Sequence, residues 1–149
     1  MTRHRRHAIA AMTLGLFGAL AHAQVATPAG VWKTIDDETK QERSLVRITD
    51  AGGAYTGKIE KLLDPTKQAS VCDKCSDERK DKPVLGMTII KGVRQNPDDK
   101  ARWDGGEILD PNNGKTYKVR LTPIDGGKTL EVRGFIGPFY RNQTWTRVE

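Results

Sequence analysis

The residues of this chain best suited to chemistry are two cysteines, Cys72 and Cys75, separated by two residues. A redox site would need a thiol of lowered pKa, usually at a helix N-terminus, and the surrounding sequence indicates no such helix. A zinc site would need two further ligands, and the neighbourhood offers only carboxylates, a poor match to zinc. The third interpretation is a disulfide, which an oxidising compartment would favour. We favour this third interpretation, in which the bond pins a long polar loop.

The first 23 residues have the three parts of a secretory signal peptide. Three arginines form a basic start, residues 8–20 are an apolar run, and Ala21-His22-Ala23 gives a small-x-small cleavage pattern. The apolar run is shorter than the roughly 20 residues that a membrane-spanning helix needs. We therefore expect cleavage near Ala23, a periplasmic or secreted protein, and no stable membrane insertion.

Removal of this segment leaves little catalytic chemistry. All three histidines lie inside it, at positions 4, 7 and 22. A Ser-His-Asp site is thus excluded from the mature chain, and we expect no enzyme, no catalytic residue, no metal and no cofactor. Loss of the three arginines lowers the net charge from +6 to +3, and the remaining charges of both signs alternate along the chain. Such a surface does not predict nucleic-acid binding.

Residues 24–149 amount to a single domain and consist of short strands separated by turns. Eight segments alternate apolar and polar residues with the period of a β-strand. Asp or Asn with Gly marks several of the links, and residues 64–82 form one long polar loop. The predicted strands are residues 31–36, 43–49, 54–63, 84–91, 102–109, 115–122, 128–136 and 142–148.

Sequential strands joined by short links favour antiparallel neighbours. Eight of them can close into an up-and-down barrel, which removes both sheet edges and can enclose one small ligand. An open sheet or a two-sheet sandwich of the same strands is the competing arrangement. We predict the all-β, eight-stranded antiparallel barrel.

Several phrases in the mature chain resemble one family. They are Gly30-Val31-Trp32-Lys33-Thr34-Ile35-Asp36-Asp37, Ser44-Leu45-Val46-Arg47-Ile48, Gly105-Gly106-Glu107-Ile108-Leu109-Asp110-Pro111, Gly114-Lys115-Thr116-Tyr117, Val132-Arg133-Gly134-Phe135-Ile136-Gly137 and Gln143-Thr144-Trp145-Thr146-Arg147-Val148. Together with the cysteine pair, their order resembles domain-of-unknown-function family 2147, a family of small exported bacterial proteins. The resemblance implies a lipocalin-like (calycin) barrel and no established activity.

Lipocalins resemble one another in a Gly-x-Trp at the start of the first strand and an Arg on the last strand that covers the Trp. This chain has Gly30 and Trp32 at its first predicted strand and Arg147 at its last. An arginine over an indole face contributes about 0.5–2 kcal/mol. We therefore expect these three residues to close the barrel structurally rather than to touch a ligand.

The candidate ligand contacts are aromatic and cationic residues on the predicted strands. They are Tyr55, Tyr117, Arg133, Phe135 and Arg141. If arginines of the last strands point inward, the cavity has apolar walls with a cationic end, suited to an amphipathic anion; outward-facing, solvated arginines are the alternative. The adjacent Asp36 and Asp37 are interpreted as turn and surface residues, because neighbours on a strand face opposite sides.

Two functional hypotheses follow. The first is an exported binding protein, a carrier or sensor of a small apolar or amphipathic molecule. The second is a non-enzymatic interaction module of the cell envelope that acts through the stapled long loop, since loops on rigid scaffolds commonly carry binding. The sequence indicates neither the ligand nor the oligomeric state.

Overall fold

The computed structural model describes residues 25–149 and contains eight β-strands. The predicted signal peptide, residues 1–23, lies outside the described residues. The strands are β1 (Gly30–Ile35), β2 (Glu42–Ala51), β3 (Ala54–Leu62), β4 (Thr88–Gln95), β5 (Trp103–Asp110), β6 (Lys115–Ile124), β7 (Thr129–Ile136) and β8 (Phe139–Arg147). Two short 3-10 helices occupy Pro65–Lys67 and Asp125–Gly127. In this part of the chain, no helix has the length and hydrophobicity to cross a bilayer.

The strands form a closed barrel in sequence order, each antiparallel to its neighbours. The barrel closes where β1 pairs with β8, with Trp32 opposite Arg147 and Lys33 opposite Thr146. The predicted fold class is therefore confirmed, and the open-sheet and sandwich alternatives are wrong. Closure pairs every strand with a neighbour on both sides, so the barrel has no free sheet edge.

Two strands, β4 and β8, begin three or more residues away from the predicted start, and the other boundaries except the end of β4 agree within two residues. Strand β4 was expected over residues 84–91 but spans Thr88–Gln95. It continues through Gly92, which has a positive φ of 69°. Glycine adopts this backbone conformation without steric cost, so the strand can continue past this irregular position. Strand β8 begins at Phe139 rather than at residue 142, because Gly137 takes a φ of 52° and turns the chain within two residues.

Alternate residues of each strand point into the barrel, where they build one continuous core. The largest fully buried side chains are Trp32, Trp103 and Trp145. The short turns after β2, β4 and β6 lie at the same end as both termini of the described chain. The links after β1, β3, β5 and β7 lie at the opposite end. This arrangement gives the barrel two chemically distinct ends.

Candidate functional site

One end of the barrel is sealed around Trp32. Its indole is fully buried and donates a hydrogen bond from Nε1 to the carbonyl of Pro28, 2.7 Å away. The guanidinium of Arg147 lies 4.1 Å from the centre of the indole ring. It also donates to the carbonyl oxygens of Gly127, Ala29 and Thr27. Arg147 thus joins the last strand, the β6–β7 link and the segment before β1.

The sealed end requires glycine at position 30 because a side chain there would not fit. Its φ is 138°, and a Cβ there would lie 2.3 Å from Nη1 of Arg147. The structure therefore places all three expected closure residues at one end of the barrel, in contact with one another. The role assigned to them is structural, and none of them lines the cavity described below.

Tyr55 lies towards this same sealed end. Its ring is buried and meets that of Trp103 edge to face, with centroids 6.1 Å apart. Burial, and then the charge of Asp50, raises the pKa of the Tyr55 hydroxyl. Tyr55 is outside the set of cavity-lining residues, so the structure places this candidate ligand contact beneath the cavity.

The other end opens into a cavity of about 980 Å³. A volume of this size is at the upper end of the range for small-molecule sites. Its apolar wall is drawn mainly from strands β3, β4, β5, β7 and β8 and from the long β3–β4 link. The wall comprises Ile59, Leu62, Val84, Ile89, Ile108, Leu109, Val132, Ile136 and Phe139.

A hydrogen-bonded chain of polar residues runs along the β8 side of the cavity. Arg141 makes a two-pronged ion pair with Asp37, with N···O distances of 2.5 and 2.6 Å. Gln143 donates to the same carboxylate at 3.4 Å and accepts from Nε1 of Trp145 at 2.9 Å. The hydrogen bonds from Arg141 lower the pKa of Asp37, and those to Asp37 raise the pKa of Arg141. Both groups are therefore held in their charged forms.

Hydroxyl groups supply the remaining polar contacts of the cavity wall. Thr34 and Ser44 are both buried, and their side-chain oxygens lie 2.9 Å apart across the β1–β2 pair. On the opposite side, the Tyr117 hydroxyl accepts a hydrogen bond from Asn113 at 2.9 Å. All four residues line the cavity, so hydrogen-bonding groups stand beside its apolar wall.

The long β3–β4 link folds over the mouth of the cavity. Cys72 and Cys75 form a disulfide, both are buried, and Sγ of Cys72 lies 3.6 Å from the Pro111 carbonyl oxygen. The link is closed on itself by a bridge between Val71 and Pro83. The disulfide therefore holds the link against the β5–β6 turn. With both sulfurs bonded to each other, neither is a thiolate available to a metal.

The β7–β8 turn forms an exposed apolar part of the rim. Ile136 is 51% exposed, Phe139 75% and Tyr140 60%, and all three border the cavity. Exposed apolar patches commonly mark sites where a protein, membrane or ligand binds.

Two of the five candidate ligand contacts lie on the outer wall. Arg133 stacks 4.4 Å over the ring of Tyr140 and hydrogen-bonds Asn142, and Phe135 lies beneath Arg120. Neither is a cavity-lining residue, whereas Tyr117 and Arg141 are. The three arginines of the last strands therefore do not gather into a cationic end. Arg147 lies at the sealed end of the barrel, Arg133 faces outward, and the charge of Arg141 is neutralised by Asp37.

The Asp37–Arg141 pair joins residues 104 positions apart and was not anticipated. Asp36 does serve the turn, as expected, since it accepts hydrogen bonds from the backbone of Glu38 and Thr39. Its neighbour Asp37 instead reaches across to β8. The alternation of β8 could have indicated that Arg141 faces the cavity. Alternate residues of a strand share a face, so an inward-facing Trp145 places Gln143 and Arg141 on the inner face as well.

A closed eight-stranded barrel with a sealed Trp/Arg end and one open end defines a lipocalin-like protein. The chain belongs to the family described as uncharacterized protein conserved in bacteria (DUF2147), whose profile matches residues 30–147. The barrel is similar to the solved structure of protein HP1028 from Helicobacter pylori, which is described as belonging to the lipocalin family. The two share 19% identity with a TM-score of 0.71 over 83% of this chain and 84% of the other. No curated protein matches this sequence.

Proposed function

We propose that this protein is an exported carrier or sensor that binds a small apolar or amphipathic molecule inside its barrel. The observation that carries the proposal is the cavity of about 980 Å³, open at one end and sealed at the other by Trp32 and Arg147. An apolar space of this kind stabilises a ligand by removing its hydrocarbon surface from water, at about 25 cal/mol per Å² buried.

The composition of the wall supports an amphipathic ligand over a purely apolar one. Apolar atoms form the larger part of the surface, while Arg141 and Gln143, both bonded to Asp37, and the hydroxyls of Thr34 and Tyr117 supply polar groups. Isolated polar groups on an apolar wall fix the orientation of a bound molecule. The long link and the exposed β7–β8 turn then border the path by which the ligand reaches this space.

The test is a titration with N-phenyl-1-naphthylamine, a dye whose fluorescence rises in apolar surroundings. We expect saturable binding at one site. Gly134→Phe should weaken it by at least about tenfold, because residue 134 lines the cavity and a Cβ there would be 3.5 Å from that of Tyr117, an ordinary contact. The new ring would occupy ligand space without straining the backbone.

Thr144→Phe is the matched control. It adds the same ring to the neighbouring strand, on the exposed outer face opposite Glu131. Dye binding by this variant should match that of the wild type. An unsaturable titration, or equal binding by the Gly134 and Thr144 variants, would refute binding in the barrel.

Export is part of the proposal and is tested separately. Cell fractionation of the tagged full-length chain, with N-terminal sequencing, should find the protein in the periplasm or the medium, beginning near residue 24. A protein that keeps its first residues and stays in the cytoplasm would contradict this part of the proposal. The reducing cytoplasm would also disfavour the bond between Cys72 and Cys75.

The alternative of an envelope interaction module is less well supported. Ala69, Ser70 and Val71 of the long link line the cavity, so this link already serves the binding space. The double variant Cys72→Ser/Cys75→Ser discriminates the two. Loss of an envelope partner in pull-down with unchanged dye binding would favour the module, whereas altered dye binding would favour the carrier.

A further inference from the structure

The charges around the cavity favour some ligand head groups over others. Five acidic side chains line it, Asp36, Glu38, Asp64, Asp73 and Asp110, against three basic ones, Arg43, Lys67 and Arg141. Arg43 is paired with Asp36 at 3.2 Å, and Lys67 stands exposed on the rim. The lining therefore carries two more negative than positive charges, which disfavours the approach of an anion.

The arginine of the polar chain is already neutralised. Its Nε and Nη2 atoms both donate to Asp37, and Nη2 also lies 3.3 Å from Glu38. A ligand carboxylate would either displace Asp37 from this bidentate pair or use only the remaining N–H groups of a guanidinium whose charge Asp37 already compensates. In both cases it gains less than it would from an unpaired arginine. Because the pKa of Asp37 is lowered mainly by Arg141, the carboxylate stays ionised at neutral pH.

The hydroxyl groups of the wall still have protons to give. The Thr34 oxygen accepts from the backbone N–H of Ser44, and one of the two hydroxyls donates to the other. One hydroxyl proton of this buried pair is then left over, and within residues 25–149 no further hydrogen bond takes it. The Tyr117 oxygen likewise accepts from Asn113 and keeps its own proton to donate. The cavity thus offers donors, which suit carbonyl, ester or ether oxygens.

We infer that the cavity selects uncharged amphipathic molecules with hydrogen-bond acceptors, such as esters of long-chain acids, and discriminates against the corresponding carboxylates. This inference rests on the proposed function. Asp37 is the residue that sets the selectivity, because it occupies the cation that a carboxylate would otherwise use.

The experiment compares laurate with methyl laurate as competitors of N-phenyl-1-naphthylamine at about pH 8, where the acid is ionised. The two share one chain and one carbonyl and differ in charge. For the wild type we expect the ester to displace the dye at a concentration at least about tenfold lower than the acid. Laurate that competes as well as the ester, or better, would overturn the inference.

Asp37→Asn removes the bidentate partner of Arg141 and leaves only the exposed Glu38 beside it. The variant should improve laurate competition by about tenfold or more, with the ester changed by less than about threefold. Asp73→Asn is the charge-matched control, since it removes an acid from the same mouth without releasing an arginine. Similar gains in both variants would overturn the role of Asp37 as the selecting residue. Thermal unfolding followed by circular dichroism shows whether each variant is folded. The comparison of laurate with methyl laurate on the wild type does not depend on either variant.

Failure of this inference can be told apart from failure of the proposed function. If the dye and both competitors fail to bind the wild type, the binding function is wrong and the inference falls with it. If the dye binds and Gly134→Phe abolishes that binding, but laurate outcompetes the ester, the cavity is a binding site and only the selectivity is wrong.

Discussion

Arg147 concentrates more interactions than any other residue at the sealed end of the barrel. Its guanidinium stacks on Trp32 and donates to three backbone carbonyls from segments far apart in sequence. Planar geometry and five donors allow arginine to do this, whereas lysine has one ammonium group and no flat face. Sequence position alone indicated the pairing with Trp32, but the carbonyl contacts depend on the closed barrel.

Arg147→Ala should lower the free energy of unfolding by about 2–4 kcal/mol, because it removes the stacking and leaves carbonyls near the seal without their donor. Urea unfolding followed by tryptophan fluorescence measures the change. Arg147→Lys should recover less than about half of the loss.

Arg133→Ala is the control for the Arg147→Ala variant. Arg133 lies on the outer wall and also stacks on an aromatic ring, but that ring, Tyr140, is exposed. We expect it to cost less than about 1 kcal/mol. Equal losses from the Arg133 and Arg147 variants would contradict the role of Arg147 as the seal.

Asp36 makes the β1–β2 turn sensitive to acid. Hydrogen bonds to its carboxylate, chiefly from the backbone N–H of Thr39 and against an opposing effect of burial, lower its pKa to about 2 from 3.8. The unfolded chain therefore binds a proton before the folded chain does. The stabilisation from Asp36 is present above about pH 4 and is lost as the pH falls towards 2.

Asp36→Asn removes this dependence while keeping an oxygen that can accept the turn hydrogen bonds. The wild type should be more stable than the variant at about pH 5, and the difference should shrink steadily towards pH 2. Urea midpoints at several pH values measure it. A difference that does not change with pH would contradict the assignment. The pKa of Asp77 is also lowered to about 2, by hydrogen bonds from Arg79. Asp77 is present in both proteins, so it reduces the stability of both by the same amount at low pH.

Among the structural elements, the β3–β4 link departs most from a simple meander. The Cys72–Cys75 disulfide lies near the middle of this link, which rests on the β5–β6 turn, where Gly114 has a φ of 70°. A Cβ at Gly114 would lie 2.0 Å from the carbonyl oxygen of Lys74. This close approach of two backbones fixes how the link covers the mouth.

Gly114→Ala should therefore displace the link as well as strain the turn. We expect faster tryptic cleavage after Lys74 or Lys80 and altered dye affinity, measured by limited proteolysis with mass spectrometry and by titration. Gly52→Ala is the matched control, because Gly52 has a φ of 66° and nothing within 4 Å of a Cβ. It carries the same backbone strain, about 1–2 kcal/mol, without the collision. Equal cleavage of the two variants would show that the link does not depend on this contact.

At the scale of the whole molecule, the barrel was predictable because its signals are local and repeated. Alternation along segments such as Lys115–Ile124, and Asp or Asn with Gly between segments, indicate the strands and their order. The Gly30-x-Trp32 start and Arg147 at the end indicated where the ring closes. The predicted start of β8 at residue 142 is wrong because Gly137 and Pro138 form a tight hairpin turn, so that Phe139 already pairs with Ile136.

The interior of the site was less predictable, because it depends on contacts between distant segments. Tyr117 and Arg141 line the cavity, while Arg133 and Phe135 face outward and Tyr55 lies beneath it. Which face a strand residue occupies follows from the strand's register, and a shift of one position reverses it. The pairing of Arg141 with Asp37 also required the β1–β2 turn to lean over β8, which no local pattern indicates.

The central claim is that the space inside the barrel is where this protein binds its ligand. Intermolecular nuclear Overhauser effects between bound N-phenyl-1-naphthylamine and the methyl groups of the protein test it directly. We expect contacts to Ile59, Val84, Ile89 and Val132, which line the cavity. Contacts confined to the outer wall, around Ile124 or Phe135, with none to the inner methyl groups, would contradict the claim.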